Sequence, residues 1–306
     1  MSSIQQKAIR IIKYSLRKFG IDIARYKKKF NDPFLPRIFD DPIEALCSIQ
    51  GGGETVAFEC PLDKAVHRKG FRWGSPKGWH PFVESLREYE AGNSTCYDDS
   101  ILKSYYEKHR PEAASDALIG FDTAPDVFHE YPPYGYRLSP WRSNTIHDIE
   151  KIVKHWTNED NKEHGRPEIT FSSGGKKIHG PVSREKGKLE YRRLTSVYDS
   201  IKENGYIHSE GYPHVRVLKR NDEYLFRPVR RKHRIAAMAA LGYDSVPALY
   251  DHLSVVDITM VNWWPQVIQG VWSSGQAKQY FDYLFDFDSR AWAWERGLLF
   301  DQRRRQ

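Results

Sequence analysis

The sequence predicts an α+β fold, and three observations lead there. Of 306 residues, 40% are hydrophobic and 14% aromatic, enough bulky apolar surface to bury a core and too much for a disordered or low-complexity chain. Apolar residues recur three and four apart in several windows, as amphipathic helices require. Two short β-rich runs flank the turn Lys219-Arg220-Asn221-Asp222, which reads as a hairpin. The length corresponds to about two domains. Four segments are expected: a basic amphipathic helix over 1–30, a region of unassigned type over 31–135, a mixed α+β domain over 136–252 and an aromatic helical extension over 253–306.

The formal net charge is +7 and invites a nucleic-acid reading. Its distribution argues against one. Residues 1–30 carry nine Lys/Arg against one acid, Asp22, and the rest of the chain is nearly balanced. On a helical wheel Ile4, Ala8, Ile11, Ile12, Ser15 and Phe19 share one face, and Lys7, Arg10, Lys13, Arg17 and Lys18 cover the other. Such a helix can lie at an anionic membrane surface, with Ile4, Lys7, Arg10, Ile11, Ile12, Arg17 and Phe19 as the contacting residues. The alternative is a terminal helix docked on the body of the protein. No apolar run approaches the length of a membrane span, and the start lacks the small-residue cleavage site of a secretory signal. Cys47, Cys60 and Cys96 fit neither a disulfide framework nor a metal-binding pair. The expected location is the cytoplasm, peripheral at the inner membrane face.

Along 31–135 the pattern predicts a helix over 42–49, a flexible turn at Gly51-Gly52-Gly53 and a strand over 55–58. A Gly/Pro-rich loop over 73–79 precedes a helix over 81–89 that opens on Pro. Another helix is expected over 100–109. The run 128–141, rich in Pro and Tyr, reads as a boundary or an ordered surface loop. Next come a helix over 144–156, with Ile146, Ile149, Ile152, Val153 and Trp156 on one side, a polar loop over 158–167 and a short strand over 169–171. Leu194, Val197 and Ile201 set a helix over 189–204 that ends at Asn204-Gly205. Strands over 215–218 and 224–229, an Ala-rich helix over 232–241 and a strand over 246–249 complete the domain. The aromatic last third reads as core, with a helix over 276–285; a stacking platform for sugars or bases is the alternative.

The text SIKENGY (200–206) followed by KHRIAAMAALGYDSVPALY (232–250) resembles the ParB/sulfiredoxin superfamily over about 181–251. The resemblance implies that the helix opening at the His-Arg step presents its N-terminus to nucleotide phosphates. Free N–H groups and the positive helix end attract anions there. His233 and Arg234 match the phosphate-binding pair, with Arg231 and Lys232 just before them; Arg193, one helical turn from Glu190, is the further candidate phosphate ligand. The chain departs from the family where Gly is usual before the pair, since Arg230 and Arg231 stand there. Lys232 occupies the position of the sulfiredoxin Cys, which rejects sulfinic acid reduction. Kinase-like members of the superfamily carry a Glu just upstream of an Ile-x-x-x-Gly helix end, and Glu190 is the counterpart. It would take a hydroxyl proton while basic groups hold the phosphoryl oxygens. An ordinary Glu190–Arg193 helix pair is the plainer reading of the same spacing.

The resemblance thus implies a nucleotide-binding protein using ATP, ADP or CTP, with or without Mg2+. Its enzymatic form is a nucleotide-dependent phosphotransferase or hydrolase acting on a small hydroxylated molecule or surface-glycan precursor. The first alternative is a catalytically degenerate anion- or nucleotide-binding scaffold; the second is a DNA-binding partition protein, which would need a recognition helix after Tyr250 that this sequence does not offer. Neither Gly-rich run has the spacing of a phosphate loop, no Gly-x-Ser-x-Gly elbow occurs, and the twelve His lack a metalloprotease spacing.

Overall fold

Apolar runs nearly two hundred residues apart in the chain meet in one sheet. The computed structural model describes residues 36, 38–50, 56–251 and 255–300. The strands are β1 (Ile38–Phe39), β2 (Ala57–Pro61), β3 (His214–Arg220), β4 (Glu223–Pro228), β5 (Ser245–Tyr250) and β6 (Val256–Asp257). Their order is β1-β2-β5-β3-β4, with β6 also on β3. β2 runs antiparallel to β5, Phe58 opposite Ala248; β3 and β4 form the predicted hairpin, whose turn places Asn221 at φ 52. Asn is one of the few residues that tolerates this left-handed conformation. The sheet therefore joins a strand of the 31–135 segment to strands of the 136–252 segment.

The helices are α1 (Pro42–Gln50), α2 (Pro81–Glu90), α3 (Ile101–Lys108), α4 (Ile146–Glu163), α5 (Phe171–Gly174), α6 (Arg184–Asn204), α7 (Lys232–Ala240), α8 (Pro265–Ile268), α9 (Ser274–Asp286) and α10 (Ser289–Glu295). Leu194, Tyr198 and Ile201 of α6, Phe82 and Leu86 of α2, and Ile235 and Met238 of α7 are buried in one core with Phe58, Val217 and Val246 of the sheet. Each such side chain contributes about 1.5–3 kcal/mol by leaving water. A second core joins Ala277, Tyr280, Phe281 and Leu284 of α9 to Phe128, Ile149, Val153 and Trp272. The aromatic last third is thus mostly core, as its composition suggested, although Trp263 and Trp294 are exposed.

Three expected elements differ. α4 runs through Glu163 rather than yielding to a polar loop at 158, because Asn161 is fully buried and donates to the Ile169 carbonyl at 2.7 Å. A capping box, Thr145 with Asp148, starts that helix. The strand expected at 169–171 is instead a cap and one helical turn: Thr170 accepts from the Ser173 N–H, and the Asn158 side chain accepts from Phe171. The Pro/Tyr run 128–141 is ordered by two tight 3-10 turns that bury Phe128 and Tyr136, so it lies within the second core.

The basic helix expected over 1–30, with Ile4, Lys7, Arg10, Ile11, Ile12, Arg17 and Phe19, lies outside the described residues, as do the triple glycine, His252 and the closing Arg303-Arg304-Arg305. Among the described residues no helix is long and apolar enough to cross a membrane, and Cys47, Cys60 and Cys96 are free thiols.

Candidate functional site

Helix α7 starts abruptly. β4 ends at Pro228, and Arg231 takes φ 55, ψ 40 at the N-cap, where no side chain caps the helix. A non-Gly residue pays of order 1–3 kcal/mol for a conformation of this kind. The departure noted in the sequence therefore sits at a left-handed backbone position, where Gly would be unstrained. The guanidinium of Arg231 lies over Gly211, whose missing side chain makes room for it.

The start of α7 opens into a cleft of about 1480 Å3, walled by α4, α6, the β3–β4 hairpin and the turn at Lys176-Lys177. Arg193, Arg231, Lys232, His233 and Arg234 all line it. Arg234 is already engaged, however: it pairs with Glu210, donates to the Ile207 carbonyl at 3.2 Å and lies 5.2 Å from the Tyr206 ring centre. It ties the 207–211 segment to α7. Its role by resemblance, direct phosphate contact, would require leaving these partners.

Glu190 lies beneath the lining, fully buried. Lys186 stands 2.6 Å away, Arg193 2.8 Å and His233 3.2 Å. Burial pushes its carboxyl up, but Arg193, Lys177, Lys186 and His233 outweigh that and hold it well below the usual carboxylate range. A carboxylate so held is a weak proton acceptor. Arg193 also grips Asp160 in a two-bonded fork at 2.7 and 3.0 Å, and Lys177 adds 3.2 Å to the same carboxylate. The network joins α4, α6 and α7, and the Glu190–Arg193 helix pair is one part of it. Burial pushes the His233 imidazole down to about 4, with the Glu190 contact only partly restoring it.

The cleft holds a second set of cations that sequence reasoning missed. Arg68, Arg137, Arg142, Lys176 and Arg227 line it together with Lys232. Among the described residues none of these six forms a salt bridge with a carboxylate. Arg68, Lys176 and Arg227 are buried outright, at 6%, 7% and 2% exposure. Arg68 donates to the Arg137 carbonyl at 3.0 Å, Arg142 to Asn144 at 2.9 Å, and Lys232 meets the His67 ring at 3.1 Å. Lys176 Nζ and the Nε atoms of Arg137 and Arg227 are buried with no hydrogen-bond partner among the described residues. Burial, then the neighbouring arginines, push Arg227 down to about 9 and Lys176 and Lys232 well below the usual lysine range. Charge of one sign has been concentrated where it is costly to hold.

These residues come from five separate stretches of chain, which is why no motif announced them. One signal was available: Arg216 falls between Val215 and Val217, and Arg227 follows Phe226, so strand alternation sends both to the face away from the first core, the face that also carries Leu218 and Leu225 of the second. Lys176, within a Gly-rich run that lacks phosphate-loop spacing, reaches the same cleft from the turn before α6.

Among the described residues no group of three or more His, Cys, Asp and Glu converges as a metal site would need. Asp160 and Glu190 are taken up by cations, so the donor set does not fit a resident divalent ion; Mg2+ would have to enter on the phosphates of a ligand. No family model, curated protein or solved structure matches the chain.

Proposed function

We propose that this protein binds a polyphosphate anion of the nucleotide class, such as ATP, ADP or CTP, in the cleft at the start of α7. The observation that carries the proposal is the set of six cations, three of them buried, without a carboxylate partner among the described residues. Desolvated like charges oppose folding, and an anion bound only by the folded state relieves them. The start of α7, which no side chain caps, adds the positive helix end. The similarity of 181–251 to ParB/sulfiredoxin proteins belongs to the same proposal. The buried position of the cations suits a small anion entering a cleft more than a duplex laid on a surface, which ranks DNA partition last.

The condition of Glu190 favours the binding form, an anion- or nucleotide-binding scaffold, over a phosphotransferase in which Glu190 takes a hydroxyl proton. A peripheral seat at the inner membrane face through residues 1–30 stays part of the proposal as well. Calorimetric titration of the full chain with ATP, ADP and CTP, each with and without Mg2+, tests the reading. We expect saturable heat with at least one of them, lost progressively as salt is raised. Absence of heat with all three ends it. Incubation with labelled ATP and hydroxylated acceptors separates the two forms: transfer of label abolished in Glu190→Gln with the fold retained would restore the enzyme.

A further inference from the structure

Helix α4 carries a stripe of apolar residues at helical spacing, Ile149, Val153 and Trp156. The first two are buried in the second core, at 0% and 2% exposure, whereas Trp156 is 53% exposed. The stripe has run past the core and onto the wall of the cleft, which Val153, Trp156 and Thr157 line together. One turn further, Asp160 anchors Arg193 at the cation network. The guanidinium of Arg137, a member of the carboxylate-free set, lies 5.4 Å from the Trp156 ring centre. An indole surface therefore adjoins the cations within a single cleft. An exposed indole of this kind offers a flat apolar face, and a base can stack on it regardless of its hydrogen-bonding pattern.

We propose that Trp156 is the stacking platform for the aromatic base of the bound ligand, whose phosphates lie among Arg137, Lys176, Arg227 and Lys232. This rests on the nucleotide reading above and deepens it: Trp156 is the residue by which the cleft tells a nucleoside polyphosphate from inorganic polyphosphate or a phosphorylated sugar. Trp156 contributes to affinity through the base and not through charge.

Two ligands of similar charge separate these contributions, ATP and inorganic tripolyphosphate, titrated into the full chain at matched ionic strength. The wild-type chain should bind ATP more tightly than tripolyphosphate. Trp156→Ala should weaken ATP about 10-fold and tripolyphosphate by less than about twofold, and Trp156→Phe should recover most of the loss. Indole fluorescence should change with ATP in the wild type and not in Trp156→Ala. Because the side chain is half exposed, the melting temperature of each variant checks that the fold is kept. Equal binding of the two ligands by the wild type, or equal weakening of both by Trp156→Ala, would overturn the stacking role while leaving the polyphosphate site standing. Failure of the wild type to bind either ligand would overturn both.

Discussion

Arg216 and Arg227 stand directly opposite each other across the β3–β4 ladder. Like charges in this position destabilise a hairpin. Arg216 is compensated by Asp251 at 3.1 Å, whereas Arg227, 2% exposed, forms no salt bridge among the described residues. A strand that needed only to fold would carry an apolar residue there.

Arg227→Met should accordingly make the free protein more stable, by about 1–4 kcal/mol if it behaves as other buried ionic groups replaced by apolar ones do. The same change should weaken polyphosphate binding by about tenfold or more. Urea denaturation and calorimetry measure the two effects. Lower stability with unchanged affinity would mean that Arg227 has a partner and no role in the cleft.

Glu190→Gln removes the carboxylate shared by Lys186, Arg193 and His233. Removing the buried counter-charge of Lys186 and one of the two of Arg193, which keeps Asp160, should cost about 3–5 kcal/mol, read as a fall in the denaturation midpoint. A purely catalytic Glu would instead leave stability near that of the wild type.

Acid should destabilise the fold through its buried imidazoles. His233 is held down at about 4 against an ordinary 6.5, and burial lowers His67, His80, His109 and His179 too. Between those values the unfolded chain binds protons that the folded chain does not, so stability falls as pH drops from about 6.5 toward 4. Proton uptake on unfolding at pH 5.5, followed by the pH dependence of the urea midpoint, checks the sign. A midpoint that rises over this range would contradict the burial of these rings.

Arg231→Gly should relieve the left-handed N-cap of α7 and raise stability by about 1 kcal/mol, whereas Arg231→Val should lower it, since a β-branched residue fits that conformation worst. Thermal melts of both variants suffice. Identical effects would show that the backbone relaxes on substitution.

Residues 1–30 are tested separately. The full chain should co-sediment with anionic vesicles at low salt, release as the Debye length shrinks from about 10 Å at 0.1 M to about 3 Å at 1 M, and ignore neutral vesicles. Ile11→Asp should abolish sedimentation without moving the melting temperature. A large drop in melting temperature, with no vesicle binding by the wild type, would make this segment a core element.

By itself the sequence determined the α+β class, the hairpin at Asn221, the bounds of α2, α7 and α9 to within a few residues, and the aromatic core, because periodicity, caps and turn residues act over a few positions. It also brought His233 and Glu190 to notice. What Glu190 does there was decided only in three dimensions, where Lys186, Arg193 and His233 surround it. The same holds for α4, whose polar end continues as helix because Asn161 finds buried partners on other elements. Apart from Lys232, which the resemblance placed beside His233, the cation set of Arg68, Arg137, Arg142, Lys176 and Arg227 has no sequence motif, since its members lie in separate segments of the chain. The assembled tertiary structure takes Arg68, Lys176 and Arg227 out of water and leaves Arg137, Arg142 and Lys232 half-buried around the same cleft. That desolvation is a property of the tertiary arrangement, and no local pattern encodes it.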